Sequence, residues 1–246
     1  MVRLSNLKSV EREKSTWIWQ TVIKAKSTAA NGDNIAAGAE VGPVNNFLHS
    51  LFSQVDVTLN GTLITSSTNT YPYRAYIEDL LSHGADSKES QMTAALYYKD
   101  TPGKMAVANS RAAVNDRNHG LTKRAEFTNE SRVVDMIGRL HCDIFFQERY
   151  LLNEVNTKIR LIRSRDNFCL MSTGQFKVKI MAASLLVRKV KVSPSVFLAH
   201  AKTLEKSLAK YPVRRVVCKA FTIPNGHLDA TNEKLFTGQL PRRIVI

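Results

Sequence analysis

Three groups of side chains in this sequence are of types that do chemistry. Asp143, Glu154 and Lys158 make an acid–acid–lysine set of the kind found in nucleases. Glu154 and Lys158, four apart on a strand, would share a face. Asp143 stands before a turn, however, and no third carboxylate joins them. His141, Ser164 and Asp166 have the types of a nucleophilic triad, but any long β protein offers such a trio by chance. The histidines (His49, His83, His119, His141, His200, His227) lack zinc-ligand spacing. His141 and Cys142 are adjacent, so on a strand they would face opposite sides. No nucleophile elbow, phosphate-binding P-loop, dinucleotide glycine fingerprint or H-E-x-x-H zinc motif occurs. The residues point away from an enzyme and call for no metal or other cofactor.

The basic residues suggest a different chemistry. Thirty-five Lys and Arg against 21 Asp and Glu leave a net charge of +14. Residues 1–122 hold 12 basic and 11 acidic side chains, a net of +1, and residues 123–246 hold 23 and 10, a net of +13. A field of that sign attracts polyanions, nucleic acid above all. Lys158, Arg160 and Ile162 share the outward face of one strand, Arg163 and Arg165 follow, and Arg188, Lys189 and Lys191 are expected on a neighbouring strand. Strands about 4.8 Å apart would merge these rows into one positive surface. Arg160, Arg163, Arg165, Lys189 and Lys191 are therefore the candidate nucleic-acid contacts, non-specific and salt-dependent. Aromatic residues do not interleave with them, so stacking on single-stranded bases is not indicated. A solvated face that keeps a sheet soluble accounts for the same rows without nucleic acid.

The elements that would position these residues read mostly as strands. Length and an ordinary composition, 43% hydrophobic and 23% charged, fit one large β domain or two smaller ones. No apolar run is long enough for a membrane span, and charge in Met1–Lys14 argues against secretion. Three widely spaced cysteines read as reduced core thiols of a nuclear or cytosolic protein. Trp17 to Lys26 is a strand, and Val55, Val57 and Leu59 alternate up to Asn60-Gly61, a type I′ turn signal with Thr62 to Thr65 as partner strand. Thr70 and Pro72 open a helix carrying Tyr73, Tyr76, Ile77, Leu80 and Leu81 at helical spacing. Ser87 to Tyr98 is expected as a second helix, with Met92, Ala95 and Leu96 on one face, and Lys104 to Asn129 as a long polar loop. Period-two strands follow through Leu140–Ile144, Val155–Leu161, Val178–Ile180 and Leu185–Val192. Ser193-Pro194 opens a further helix with Val196, Phe197, Leu204 and Leu208, and Tyr211 to Ile223 is strand-like again. The result is an all-β fold with inserted helices, a sandwich or jelly roll rather than a βαβ sheet.

The stretch VGPVNNFLHSLFSQVDVTLNGTLITSSTNTYPYRAYIEDLLSHG (Val41 to Gly84) resembles the major capsid protein of polintons (Mavericks), virus-like DNA transposons of animal genomes. The similarity continues through LYYKDTPGKM, VVDMIGRLHCDIF, KIRLIRSRDNFCLM, VSPSVFLAHAKTL, AKYPVRRVVCKAFTI and TGQLPRRIVI, covering most of residues 41–246 in order. The resemblance implies a double jelly-roll protein that forms trimeric capsomers, assembles with a minor capsid (penton) protein and encloses double-stranded DNA. Residues 1–192 would be the first jelly roll, 193–210 the connecting helix and 211–246 the start of a truncated second jelly roll. Location in a virion, assembled in the host nucleus or cytoplasm, follows. Met1 to Ser15 does not match the family's opening, where another strand of the first barrel is expected, and most of the second barrel is absent. Those departures suggest a fragment, a relic or an incomplete gene model. The competing expectations are a non-specific nucleic-acid-binding β protein and a relic without function.

Overall fold

The computed structural model describes residues 2–3, 7–10, 19–223, 225–226, 229, 231, 235 and 240–245. Ten strands and six α-helices follow in chain order. They are β1 (Val2–Arg3), β2 (Leu7–Val10), β3 (Trp19–Ala29), β4 (Val41–Pro43), α1 (Phe47–Ser50), β5 (Phe52–Leu59), β6 (Thr62–Leu63), α2 (Tyr71–Ser82) and α3 (Ala85–Glu89). Then come α4 (His119–Thr128), β7 (Val134–Arg139), β8 (Thr157–Arg163), α5 (Asp166–Cys169), β9 (Leu170–Ser172), β10 (Phe176–Arg188) and α6 (Pro194–Leu204).

One four-stranded sheet runs β1-β8-β5-β6, a second runs β2-β10-β3-β7, and β4 pairs with β9. Every pair is antiparallel except β2 with β10. Two short strands, β1 and β2, lie within Met1 to Ser15. The alternation seen in the sequence is the inward face of each sheet. Trp19, Ile23, Met136, Val178 and Leu185 from one sheet share a single core with Val55, Val57, Ile159 and Leu161 from the other. Among the described residues the sheets do not close into a barrel. The fold is a mixed, strand-rich architecture, and no helix among the described residues is long and apolar enough to cross a membrane.

The hairpin forms where Asn60-Gly61 requires it, both residues at positive φ (46° and 86°), between β5 and β6. Ser193 stands in extended conformation at the N-terminus of α6, its hydroxyl paired with that of Ser195 rather than with a helix amide, and Pro194 follows in the first turn. The runs Val178–Ile180 and Leu185–Arg188 are one strand, β10, irregular between Ile180 and Ala182. The expected strand stops short of its end, since Lys189–Val192, with Lys189 and Lys191, lies in coil beyond β10. Other expectations fail. The helix expected over Ser87–Tyr98 breaks at Ser90 (φ −118°, ψ −87°) into α3 and a 3-10 turn at Gln91–Ala95, although Met92, Ala95 and Leu96 are buried. The supposed loop Lys104–Asn129 contains α4, whose cap is the Asn118 side chain accepting from the Gly120 and Leu121 amides. Its inward residues are Gly120, Leu121, Arg124 and Thr128, so no apolar stripe marks it. Residues 140–142 leave β7 as coil, and Asp143–Phe146 is a 3-10 turn rather than strand. Tyr211–Ile223 forms no strand. The apolar residues of α2 turn outward, with Tyr73, Ile77, Leu80 and Leu81 exposed, while Tyr71, Ala75 and Asp79 face the protein. Val196, Phe197, Leu204 and Leu208 are exposed as well.

Candidate functional site

The inward turn of α2 carries charge into the molecule. Arg74, Glu78 and Asp79 sit on or beside its buried side, with side chains only 8–20% exposed for Glu78 and Asp79. Facing them are His49 from α1 and His141 and Asp143 from the segment after β7. Asn46 opens α1 in the left-handed conformation (φ 55°). β7 passes α1 so closely that a Cβ on Gly138 would meet Leu48 Cδ2 at 2.5 Å and His49 Nε2 at 3.4 Å. A side chain at 138 would force Leu48 to shift.

His141 lies between two carboxylates, Nδ1 at 2.6 Å from Glu78 Oε2 and Nε2 at 3.4 Å from Asp79 Oδ1. Its ring meets that of His49 edge-on, with centroids 4.7 Å apart. His49 Nδ1 lies 3.0 Å from the Tyr71 hydroxyl. The Asn46 amide donates to Asp79 Oδ2 at 2.6 Å, and His83 Nδ1 is 3.7 Å from Asp79 Oδ1. Arg74 donates to Glu78 Oε1 at 2.8 Å and to Asp143 Oδ1 at 2.5 Å. A small cavity of about 30 Å³ adjoins this network, lined in part by Thr70, Tyr71, Arg74, His141 and Asp143, with room for roughly one water.

The tail, residues 210–218, lies against this cavity, with Val216 and Cys218 in its lining. The Val216 amide donates to Asp143 Oδ1 at 3.2 Å, Arg74 donates to the Val216 carbonyl at 3.4 Å, and the Thr70 hydroxyl donates to the Cys218 carbonyl at 3.0 Å. Further back, Arg149 donates to the Lys210 carbonyl at 2.8 Å.

Burial sets the two histidines apart. His49 is pushed down to about 3, first by loss of water and then by the charge of His141, so its imidazole is neutral. Burial also opposes charge on His141, but hydrogen bonds to Asp79 and Glu78 outweigh it and raise its pKa. Burial would raise the Glu78 and Asp79 carboxyls, yet His141, together with Arg74 at Glu78, holds both below their ordinary values. Desolvation raises the Tyr71 hydroxyl and the Cys142 thiol far enough to keep both protonated. The arrangement can hold positive charge, a proton or a metal cation, between three elements. His49, Asp79 and His141 each offer one ligand atom, and these lie within 4.8 Å of one another.

The residues singled out in the sequence are placed differently. Asp143 is bound by Arg74, Glu154 is exposed at a positive φ (67°), and Lys158 is exposed opposite Thr58. Among the described residues no hydrogen bond or ion pair joins the three. Ser164 is buried with its hydroxyl unbonded, Asp166 pairs with Arg163, and His141 pairs with Glu78, so the trio is not assembled. His141 and Cys142 are both buried, not on opposite faces of a strand. The expectation that the two basic rows neighbour each other is corrected, because β8 and β10 belong to different sheets. Arg160 is held by Asp56 at 2.5 and 2.8 Å, and Arg163 bonds Asp166 and the Val178 carbonyl. Arg165, Lys189 and Lys191 are exposed. Asp79 and Asn46 went unread in the sequence, and the spacing of the histidines pointed away from His49 and His141 as ligands. The one local signal was Arg74 and Glu78 at i,i+4 spacing, since His49 and His141 meet only through the fold.

No family model matches the chain, and no solved structure matches it. It is 26% identical over 209 residues to a protein of Caenorhabditis elegans described as uncharacterized protein F54H12.2, a similarity covering 83% of this chain and 46% of that protein. The chain thus spans less than half the length of this relative.

Proposed function

We propose that this chain is a structural subunit, the first jelly roll and the opening of a second in a major capsid protein of the polinton type. Three copies would form a capsomer, and capsomers would assemble with a minor capsid protein around double-stranded DNA in the host nucleus or cytoplasm. The observation that carries this reading is the combination of two four-stranded sheets over one core with a large apolar surface left outside it. Eight strands in two sheets match the strand count of one jelly roll, with the parallel pairing of β2 with β10 as a departure from its antiparallel pattern. Tyr73, Ile77, Leu80 and Leu81 on α2, with Val196, Phe197, Leu198 and Leu204 on α6, are exposed in the single chain. Exposed apolar residues grouped on a helix are a common feature of subunit contacts.

The test is sedimentation and electron microscopy of the purified chain across a concentration and salt series. Trimers or larger particles that grow with concentration are the expected result, and a chain monomeric throughout overturns the reading. The net charge of +14 supports contact with packaged DNA, through Arg165, Lys189 and Lys191 rather than the paired Arg160 and Arg163. Changing those three to Ser should sharply weaken duplex binding at low salt. Unchanged binding removes the DNA contact and leaves the subunit reading standing.

A further inference from the structure

We propose that His49, Asp79 and His141 form a binding site for a divalent cation of the zinc class, with His83 at its edge. The inference does not depend on the capsid reading. It begins with Asp79, a carboxylate 8% exposed whose partners are an amide and imidazoles: Asn46, His141 and His83. A buried carboxylate needs a compensating positive charge. Arg74, the guanidinium of this network, is engaged with Glu78 and Asp143. In the cation-free chain His141, hydrogen-bonded between Glu78 and Asp79, supplies it as an imidazolium, and a metal cation between the two imidazoles and Asp79 would replace that proton.

The outer partners support the same assignment. Metal-bound histidines use their second nitrogen to hold a carboxylate or another polar group, which fixes ring and tautomer. Here His141 Nδ1 holds Glu78, His49 Nδ1 meets Tyr71, and the second oxygen of Asp79 is held by Asn46. Each residue thereby keeps one donor atom for a common centre, and the three donors lie within 4.8 Å of one another. Tetrahedral zinc with bonds of about 2.0–2.2 Å spaces its ligands by roughly 3.4 Å, so the set needs a modest contraction. His141 Nε2 and Asp79 Oδ1 are already 3.4 Å apart. Two imidazoles and a carboxylate suit zinc rather than calcium or magnesium, which prefer oxygen. The cation would staple α1, α2 and the segment after β7.

The experiment uses the whole chain, stripped with a chelator and reloaded with zinc, cobalt(II) or magnesium. About one zinc per chain should survive gel filtration, with a melting temperature several degrees above the stripped protein and no response to magnesium. Cobalt(II) should give the visible bands of a tetrahedral nitrogen–oxygen site without thiolate charge transfer. Asp79→Asn and His49→Gln should abolish uptake, whereas His200→Gln, on exposed α6, should not. If the variants do not fold, the wild-type chain still decides. Failure to retain zinc, an unchanged melting temperature or a thiolate band each overturns the proposal.

Discussion

The two halves of the interior are built on opposite rules. Between the sheets, Ile23, Leu161, Val57 and Met136 are buried as apolar groups and stabilise by leaving water. Behind α2, the interior holds Arg74, Glu78, Asp79, His49 and His141, and the same helix shows Leu80 and Leu81 to solvent. The first region gains from area alone and tolerates imprecision. The second gains only if every charge meets its partner, because burying an ion unpaired costs more than any one contact returns. Inverting one helix thus converts ordinary sequence into a demanding site on one side and a sticky surface on the other.

The sharpest way to break this contrast is to truncate one residue type in both regions. Leu161→Ala should lower unfolding free energy by about 2–5 kcal/mol in urea denaturation, while Leu81→Ala should stay within about 0.5 kcal/mol. Equal losses would mean that α2 packs its leucines inward. Glu78→Gln removes the charge that both Arg74 and His141 face, and should cost about 1–3 kcal/mol by the same measurement. A smaller effect separates the two histidines by pH in the chelated chain. His49, held down to about 3, binds no proton when folded, so its stabilisation is full above pH 6.5 and declines as pH falls below it. His141, raised, contributes fully below pH 6.5 and loses that contribution as pH rises through its folded value. Melting curves from pH 5 to 8 should therefore show less acid destabilisation in His49→Gln and more in His141→Gln. The smallest effect is at the surface, where Ile77→Ser with Leu81→Ser should leave melting nearly unchanged yet reduce concentration-dependent association.

What could be read in the sequence was what depends on near neighbours. Asn60-Gly61 dictates a turn with positive φ, Ser193-Pro194 dictates a helix start, and alternation at Ile159 and Leu161 dictates an inward face. The orientation of α2 was not readable, because its apolar spacing is genuine and only the tertiary partners His49 and His141 decide which side turns in. Helix α4 escaped for a related reason, since its buried face centres on Arg124, bonded to Asp100 at 2.7 Å and to the carbonyls of Pro43 and Tyr98. A buried arginine leaves no periodic hydrophobic signal. The candidate site was invisible because its ligands lie 92 positions apart at their extremes, His49 and His141. The strand expected at Tyr211–Ile223 illustrates the converse, a β-branched run that finds no strand to pair with.

The tail against the cavity is fastened mainly by its main chain, through the carbonyls of Lys210, Val216 and Cys218 and the amide of Val216. Tyr211 adds a side-chain anchor, its hydroxyl accepting from the Leu152 amide, and Val213 packs on the core. The other anchors are peptide groups, which are the same in every residue, so this clasp measures chain length more than side-chain identity. Most substitutions between Lys210 and Cys218, Tyr211 and Val213 excepted, would leave it latched. Deleting a single residue there would move every later anchor by about 3.3–3.6 Å, beyond hydrogen-bonding reach. The joint is thus written in spacing, and in a lineage of related chains it would persist as a fixed distance long after its letters had changed.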